Sequence, residues 1–247
     1  MKSPAAASRY FFQTSLTIAA RDLSMFYNAP ATYVIAVIFL FLTGWLFVSP
    51  LFQYGQSTLD TFLRPLPIIF TFVIPALTMR SFSEEFREGT IEYLGTLPLE
   101  DWQIVLGKFL AVMGLIATLL AFTLIYPILL FFAGQPDLGQ IIGSYFSILG
   151  MAAFFAAIGL WASSLTRNQV VAFIIGFFVC FVFFLFDRFA QLLPSTAAGF
   201  VAQLGIETHF DALARGVLDT RDLLYWFSGA FFFLVATLTT VQARRMR

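Results

Sequence analysis

The chain has 247 residues, 60% of them hydrophobic and only 11% charged, with 14 basic side chains balancing 14 acidic ones. A soluble domain carries about a quarter charged residues, so a chain of mean hydropathy +0.86 cannot clothe itself in charge, and water is excluded as the solvent for most of it. Zero net charge excludes a global basic field for nucleic acid, the lone Cys180 excludes a disulfide framework or thiolate metal cluster, and the lone His209 excludes His-based metal sites.

The N-terminal stretch SRYFFQTSLTIAARDLSMFYN places Phe12, Leu16, Ala19, Leu23 and Phe26 on one helical face and Gln13, Thr17, Arg21 and Ser24 on the other. That pattern predicts a helix over 9–28 lying in a membrane interface, ended by Asn28-Ala29-Pro30. Arg9, Arg21 and Asp22 interrupt the N-terminus before any apolar core, so no cleavable leader is expected. A helix needs about 20 residues to cross the hydrocarbon. The uncharged windows predict six spans, at 31–50, 61–80, 104–133, 139–165, 168–187 and 223–243. Pro65, Pro67 and Pro75 interrupt the second, which a membrane helix tolerates when neighbours satisfy the freed carbonyls. No window alternates with period two, which argues against a β-barrel. Residues 190–221, before the last span, mix apolar residues with sparse charge and are expected to dip into the outer leaflet as short re-entrant helices. The predicted fold is all-α and polytopic, one membrane domain over 1–247.

Six spans put both termini on one side. That side holds Lys2, Arg9, Arg21, Arg80, Arg87, Lys108, Arg167, Arg244, Arg245 and Arg247, against Arg64, Arg188, Arg215 and Arg221 opposite. The excess predicts cytoplasmic termini, and with them a cytoplasmic segment 82–102.

That segment, within TMRSFSEEFREGTIEYLGTLPLEDWQIVLGK, gathers the densest charge in the chain. Phe82, Phe86, Ile91, Leu94 and Leu97 recur among its charges at roughly helical spacing, Gly89 and Gly95 punctuate it, and Pro98 begins a fresh turn leading to Glu100-Asp101 near a helix start. An amphipathic cytoplasmic segment between two spans predicts a docking surface for a soluble partner; a plain solvated loop is the alternative. No catalytic constellation is visible. The only Gly-Lys pair, Gly107-Lys108, has Trp102 where a phosphate-cradling loop needs glycine and Phe109 where it needs a hydroxyl. No acid lies mid-span, which argues against a proton or ion path. In GFFVCFVFFLF, Phe177, Phe181 and Phe184 are the candidates for a pathway or dimer interface, with simple packing as the alternative. Gly150, Gly159 and the nearby alanines suit close helix packing.

The pattern M-R-x-[FI]-x-E-E-x-x-x-G-T-x-E-x-L-x-[TS]-x-P-[LV]-x-x-x-x-[IV]-x-[GS]-K, carried here by Met79, Arg80, Glu84, Glu85, Gly89, Thr90, Glu92, Leu94, Thr96, Pro98, Leu99, Ile104, Gly107 and Lys108, resembles the coupling-loop signature of ABC type-2 transporter permeases. RDLSMFYNAPATYVIAVIFLFLTGWLF and HFDALARGVLDTRDLLYW resemble the gliding-motility GldF-like subgroup. Gly95-Thr96 departs from the usual leucine and threonine of that subgroup. The resemblance implies an interfacial N-terminal helix, six spans, a cytoplasmic coupling helix between spans two and three, and short re-entrant helices before span six.

It also implies the partners. These are a separate ABC ATPase subunit that binds ATP and Mg, a second permease copy or homologous permease, and an auxiliary subunit with an extracytoplasmic domain; no cofactor is implied in this chain. Arg80, Ser83, Glu84, Glu85, Arg87, Gly89, Thr90, Glu92, Leu94 and Leu97 are the implied contacts to the ATPase. The expected function is the permease subunit of an ATP-driven exporter in the cytoplasmic (inner) membrane of a bacterium, a subunit with no catalytic residues of its own. The alternative is ATP-driven mechanotransmission or signalling to an extracytoplasmic partner without solute transport.

Overall fold

The computed structural model describes residues 4–54, 62–90, 100–133, 138–214 and 219–245. Among these residues are eleven helices and no strand: α1 (Pro4–Asn28), α2 (Pro30–Tyr54), α3 (Leu66–Thr78), α4 (Ser83–Glu88), α5 (Asp101–Thr123), α6 (Ile125–Ala133), α7 (Leu138–Ser164), α8 (Gln169–Ala190), α9 (Ser195–Ala202), α10 (Ile206–Ala214) and α11 (Thr220–Arg245). Six stretches are long and apolar enough to cross a membrane: Pro30–Pro50, Leu66–Glu88, Asp101–Phe132, Leu138–Ser164, Gln169–Ala190 and Thr220–Arg244. The fold is therefore the all-helical, six-span architecture that the uncharged windows predict, and the chain is an integral membrane protein.

Local chemistry sets the helix ends. Pro65 caps α3 and Pro67 lies in its first turn, where a missing N–H costs nothing. Pro75 sits inside α3, and the helix continues because its carbonyl accepts the Met79 N–H at 2.9 Å. Glu100 caps α5 in a capping box: its side chain takes the Gln103 N–H, and the Gln103 side chain accepts the Glu100 N–H at 3.0 Å. The third span is two helices. Pro127 offers no N–H to the carbonyl four residues back, and the helix breaks at Leu124 before α6 resumes. Asn168 caps α8 by accepting the Val170 N–H at 2.9 Å.

In lipid, apolar burial no longer drives helix association; close packing does. The centre of the bundle is α7, whose Ile148, Met151, Ala152, Phe155, Ala156, Ala157 and Ile158 are wholly buried. Its glycines admit the neighbours. A Cβ at Gly159 would lie 2.0 Å from Thr78 Oγ1 of α3, and one at Gly150 would lie 2.9 Å from Trp226 Cδ1 of α11. Ser147 Oγ of α7 donates to the Phe210 carbonyl of α10 at 3.3 Å.

The N-terminal helix packs on α5. Ile18 abuts Gly107, Leu23 abuts Gly114, and Tyr27 OH meets Thr118 Oγ1 at 2.6 Å. The pairs rise together in sequence, so α1 runs beside α5 in the same direction. The buried face of α1 is Ser15, Ile18, Ala19 and Asp22, whereas Phe12 (63%) and Leu16 (54%) from the apolar face expected in sequence are exposed. Gly107 makes the close approach possible: a Cβ there would lie 2.7 Å from Ile18 Cβ and 3.0 Å from the Ser15 carbonyl.

Candidate functional site

Of the charged segment, residues 79–90 and 100–108 are described, and they converge on one end of the bundle. Ser83 is buried, and its hydroxyl donates to the Met79 carbonyl, closing the turn between α3 and α4. Glu84 and Glu85 lie in the first turn of α4 and Arg87 in its last, complementing the helix dipole. Gly89 ends the helix with φ +72°, a left-handed position that glycine takes without a Cβ penalty. Thr90 is exposed just beyond.

The six residues of α4 face two ways. Outward, Arg87 meets Glu84 at 3.4 Å and approaches Glu88 at 4.0 Å; Arg87 and Glu88 are exposed and Glu84 is partly so. Inward, Glu85 Oε1 lies 2.7 Å from Lys108 Nζ, which also reaches Asp22 Oδ2 at 3.0 Å. Arg21 completes the group, with Nη2 2.8 Å from Asp22 Oδ1 and 3.5 Å from Glu85 Oε1. Two cations and two carboxylates thus form a neutral cluster joining α1, α4 and α5. Lys108 is 2% exposed and Asp22 4%. Charges so deep are tolerated only when paired, and removing one leaves the others uncompensated. Glu85 Oε2 and Arg80 Nε are buried with no hydrogen-bond partner among the described residues.

Two stacked rings lie beside this cluster. Phe82 and Phe86 have centroids 6.3 Å apart; Lys108 Nζ sits 5.1 Å from the Phe82 ring centre, and the Arg244 guanidinium 4.7 Å from that of Phe86. Arg244 also donates to the Leu165 carbonyl, just past the end of α7.

The structure therefore brings Arg80, Ser83, Glu84, Glu85, Arg87, Gly89 and Thr90 together around α4, but with Glu85 turned inward. Glu92, Leu94 and Leu97 lie outside the described residues. Phe177, Phe181 and Phe184 form a separate ladder along α8, at centroid spacings of 5.5 and 6.1 Å, with Phe72 of α3 4.4 Å from Phe177. Sequence reasoning missed Asp22 and Arg21 and gave Lys108 no partner. The signal was present: Lys108 stands alone before a long uncharged run, and an isolated ammonium at the mouth of a span needs a carboxylate.

A second polar cluster closes the opposite end. Asp187, at the end of α8, accepts the Glu207 N–H at 2.8 Å and the Thr208 hydroxyl at 2.7 Å, capping α10. Arg188 meets Glu207 at 2.9 Å. Burial pushes the Glu207 carboxyl above its ordinary value; Arg188 pulls it back, while Asp187 and Asp211 push it further up. His209 Nδ1 lies 2.6 Å from Asp222 Oδ1, its Nε2 lies 3.0 Å from the Gln203 carbonyl, and its ring stacks on Tyr225 at 4.1 Å. Tyr225 OH donates to the Leu204 carbonyl at 2.8 Å. Between α8, α9 and α10 lies a cleft of about 470 Å³ lined by Asp187, Gln191, Glu207, Thr208 and Asp211 among others. Among the described residues no group of His, Cys, Asp and Glu could hold a metal ion.

Comparison with known proteins gives a family and a relative. Residues 16–241 match the family described as ABC-2 family transporter protein. Over 112 residues the chain is 33% identical to the protein of Escherichia coli (strain K12) named "Probable multidrug ABC transporter permease YbhR". The protein of the same name from Escherichia coli O157:H7 aligns equally well. The alignment takes in 45% of this chain and spans 30% of the length of those relatives.

Proposed function

This chain belongs to the ABC-2 family of transporter proteins, and from that membership we propose that it is the permease subunit of an ATP-driven exporter, moved by a separate ATPase that docks on α4. The observation that carries the reading is the two-sided build of α4. Its outer side offers Glu84, Arg87 and Glu88 to solvent, and its inner side is locked to α1 and α5 through Glu85 and Lys108. A soluble partner can read the first set, and a push on it reaches the spans through the second.

In this account ATP and Mg belong to the ATPase, and this chain contributes no catalytic group. ATP closes the two ATPase subunits, and their cleft displaces α4. Work is done only if closure favours one arrangement of the spans over the other. Because a buried ion pair is costly to break, α4 carries α1 and α5 with it. Tyr33, Val37, Phe41 and Trp45 make an exposed stripe at every fourth residue of α2, and Val170, Ile174 and Phe178 do so on α8. We assign these faces to the second permease, identical or homologous, and to lipid. The substrate route lies along that interface near Phe177, Phe181 and Phe184. On α1, Phe12, Leu16 and Met25 face the lipid interface. The membrane is the cytoplasmic one of a bacterium with both termini inside, and α9 and α10 form the outer re-entrant pair. The outer cleft is where an auxiliary extracytoplasmic subunit would sit.

Cysteine cross-linking tests the docking surface. Glu88→Cys should cross-link to the cognate ATPase in native membranes, and the buried position Ser83→Cys should not. Equal labelling at both positions, or none at Glu88→Cys in a stable complex, contradicts docking on this face.

A further inference from the structure

We propose that Arg244 makes α11 a lever: it fastens the inner end of the last span to α4, while Asp222 and Tyr225 fasten the outer end of the same helix to the α9–α10 pair. The inference rests on reading α4 as the element the ATPase moves.

At the inner end, the Arg244 guanidinium carbon lies over Phe86, 4.7 Å from the ring centre in a cation–π contact, and the same side chain donates to the Leu165 carbonyl. Only arginine combines a planar stacking face with several fixed donors. The Leu165 carbonyl lies just beyond α7, where a helix leaves acceptors unpaired and favours a cation. One side chain thus joins α4, the α7–α8 turn and α11.

At the outer end, Asp222 holds His209 at 2.6 Å and Tyr225 holds the Leu204 carbonyl at 2.8 Å. His209 belongs to α10, and Leu204 to the turn before it. The rise from Asp222 to Arg244 is about 33 Å at 1.5 Å per residue, enough to cross the hydrocarbon. No proline interrupts α11. Near its middle Gly229 sits tight on Phe154, where a Cβ would lie 2.5 Å from the ring, and Phe233 meets the same ring at 5.9 Å. Trp226 on Gly150 and Phe233 on Trp161 extend this packing along α7, so α11 moves as one helix over α7 and displacement of α4 reaches the helix pair at the far face.

Hydrogen exchange of the full chain in lipid nanodiscs reads this directly. Arg244→Ala and Phe86→Ala should each speed exchange of amides 206–214 by about threefold or more, leave the α7 core protected, and together do no more than either alone. Unchanged exchange at 206–214 while the inner end of α11 opens would overturn the lever. Where the alanine variants lose the fold, Phe86→Leu keeps the apolar volume and removes only the ring. A second arm adds the cognate ATPase with and without ATP. An ATP-driven change at 206–214 that is lost in Phe86→Leu supports the lever, and one that survives overturns it. No ATP response anywhere in wild type contradicts the coupling reading, while the first arm still decides the mechanical link.

Discussion

Glu85 turns its carboxylate inward and meets Lys108 at 2.7 Å, across the gap between the charged segment and the third span. Its neighbour Glu84, one residue earlier, points out to Arg87. The two adjacent acids therefore do different work. Glu85 fixes where α4 sits, and Glu84 belongs to the surface α4 displays.

Lys108→Met should be among the most damaging substitutions in the chain. It leaves Asp22 and Glu85 buried with only Arg21 between them, and breaking a buried pair from one side costs about 3–5 kcal/mol. Lys108→Met combined with Asp22→Leu restores neutrality, because Arg21 then faces Glu85 alone. That double variant should recover a large part of the loss. Unfolding in mixed micelles, followed by tryptophan fluorescence, measures both; equal stability of the single and double variants would show that charge balance is not what the cluster provides.

Gly159→Ala tests close packing of α3 on α7. The added methyl meets Thr78 Oγ1 at 2.0 Å, and overpacking of this kind costs about 1–3 kcal/mol. Thr78→Ala in the same chain removes the nearest atom and should return part of the stability, though the Thr78 Cβ remains 2.9 Å away. Thermal unfolding of the three variants checks the order.

The pH dependence of the outer end follows from Glu207. Its carboxyl is raised in the folded chain, first by burial and then by Asp187 and Asp211. A raised carboxyl favours the folded state while protonated, so its stabilisation is complete below the ordinary value of 4.5 and is lost as pH climbs through the folded value. Docking of α10 should therefore loosen as pH rises above that point. Glu207→Gln should remove this component, and Arg188→Met, which deletes the cation that pulls the carboxyl down, should enlarge it. Protection factors of amides 206–214 across pH in wild type and the two variants measure it, and identical profiles in wild type and Glu207→Gln contradict it.

How much of this was legible in the sequence depends on the kind of signal. Span number came through because a run such as 168–186 without one charge has a single solvent in which it is stable. The start of α5 at Glu100 was readable because caps are local chemistry. What was not legible was tertiary. Phe12 and Leu16 stood on the face of α1 expected to lie in the membrane interface, and Asp22 stood out only as one of the charges ahead of the first span. The structure brings Asp22 onto the face that packs on α5, where Gly107 leaves room for Ile18. That packing carries Asp22 to Lys108, and no periodicity in either helix alone encodes it. The resemblance marked Glu84 and Glu85 together as contacts, since a motif records which residues recur and not which way each points. Arg244, at the far end of the chain from Phe86, left no sequence signal at all.

The most direct measurement is the affinity of the cognate ATPase for two purified variants in nanodiscs, Glu84→Lys/Arg87→Glu and Arg87→Ala, against wild type. An exposed pair of this kind contributes about 0–1 kcal/mol to folding, so neither variant should unfold measurably earlier than wild type. If α4 is the docking element, the charge reversal should weaken binding by about 30-fold or more, and Arg87→Ala by less. Wild-type affinity in the charge-reversed chain would mean that the outer side of α4 is only a solvated surface, and the account of how ATP reaches these spans would be wrong.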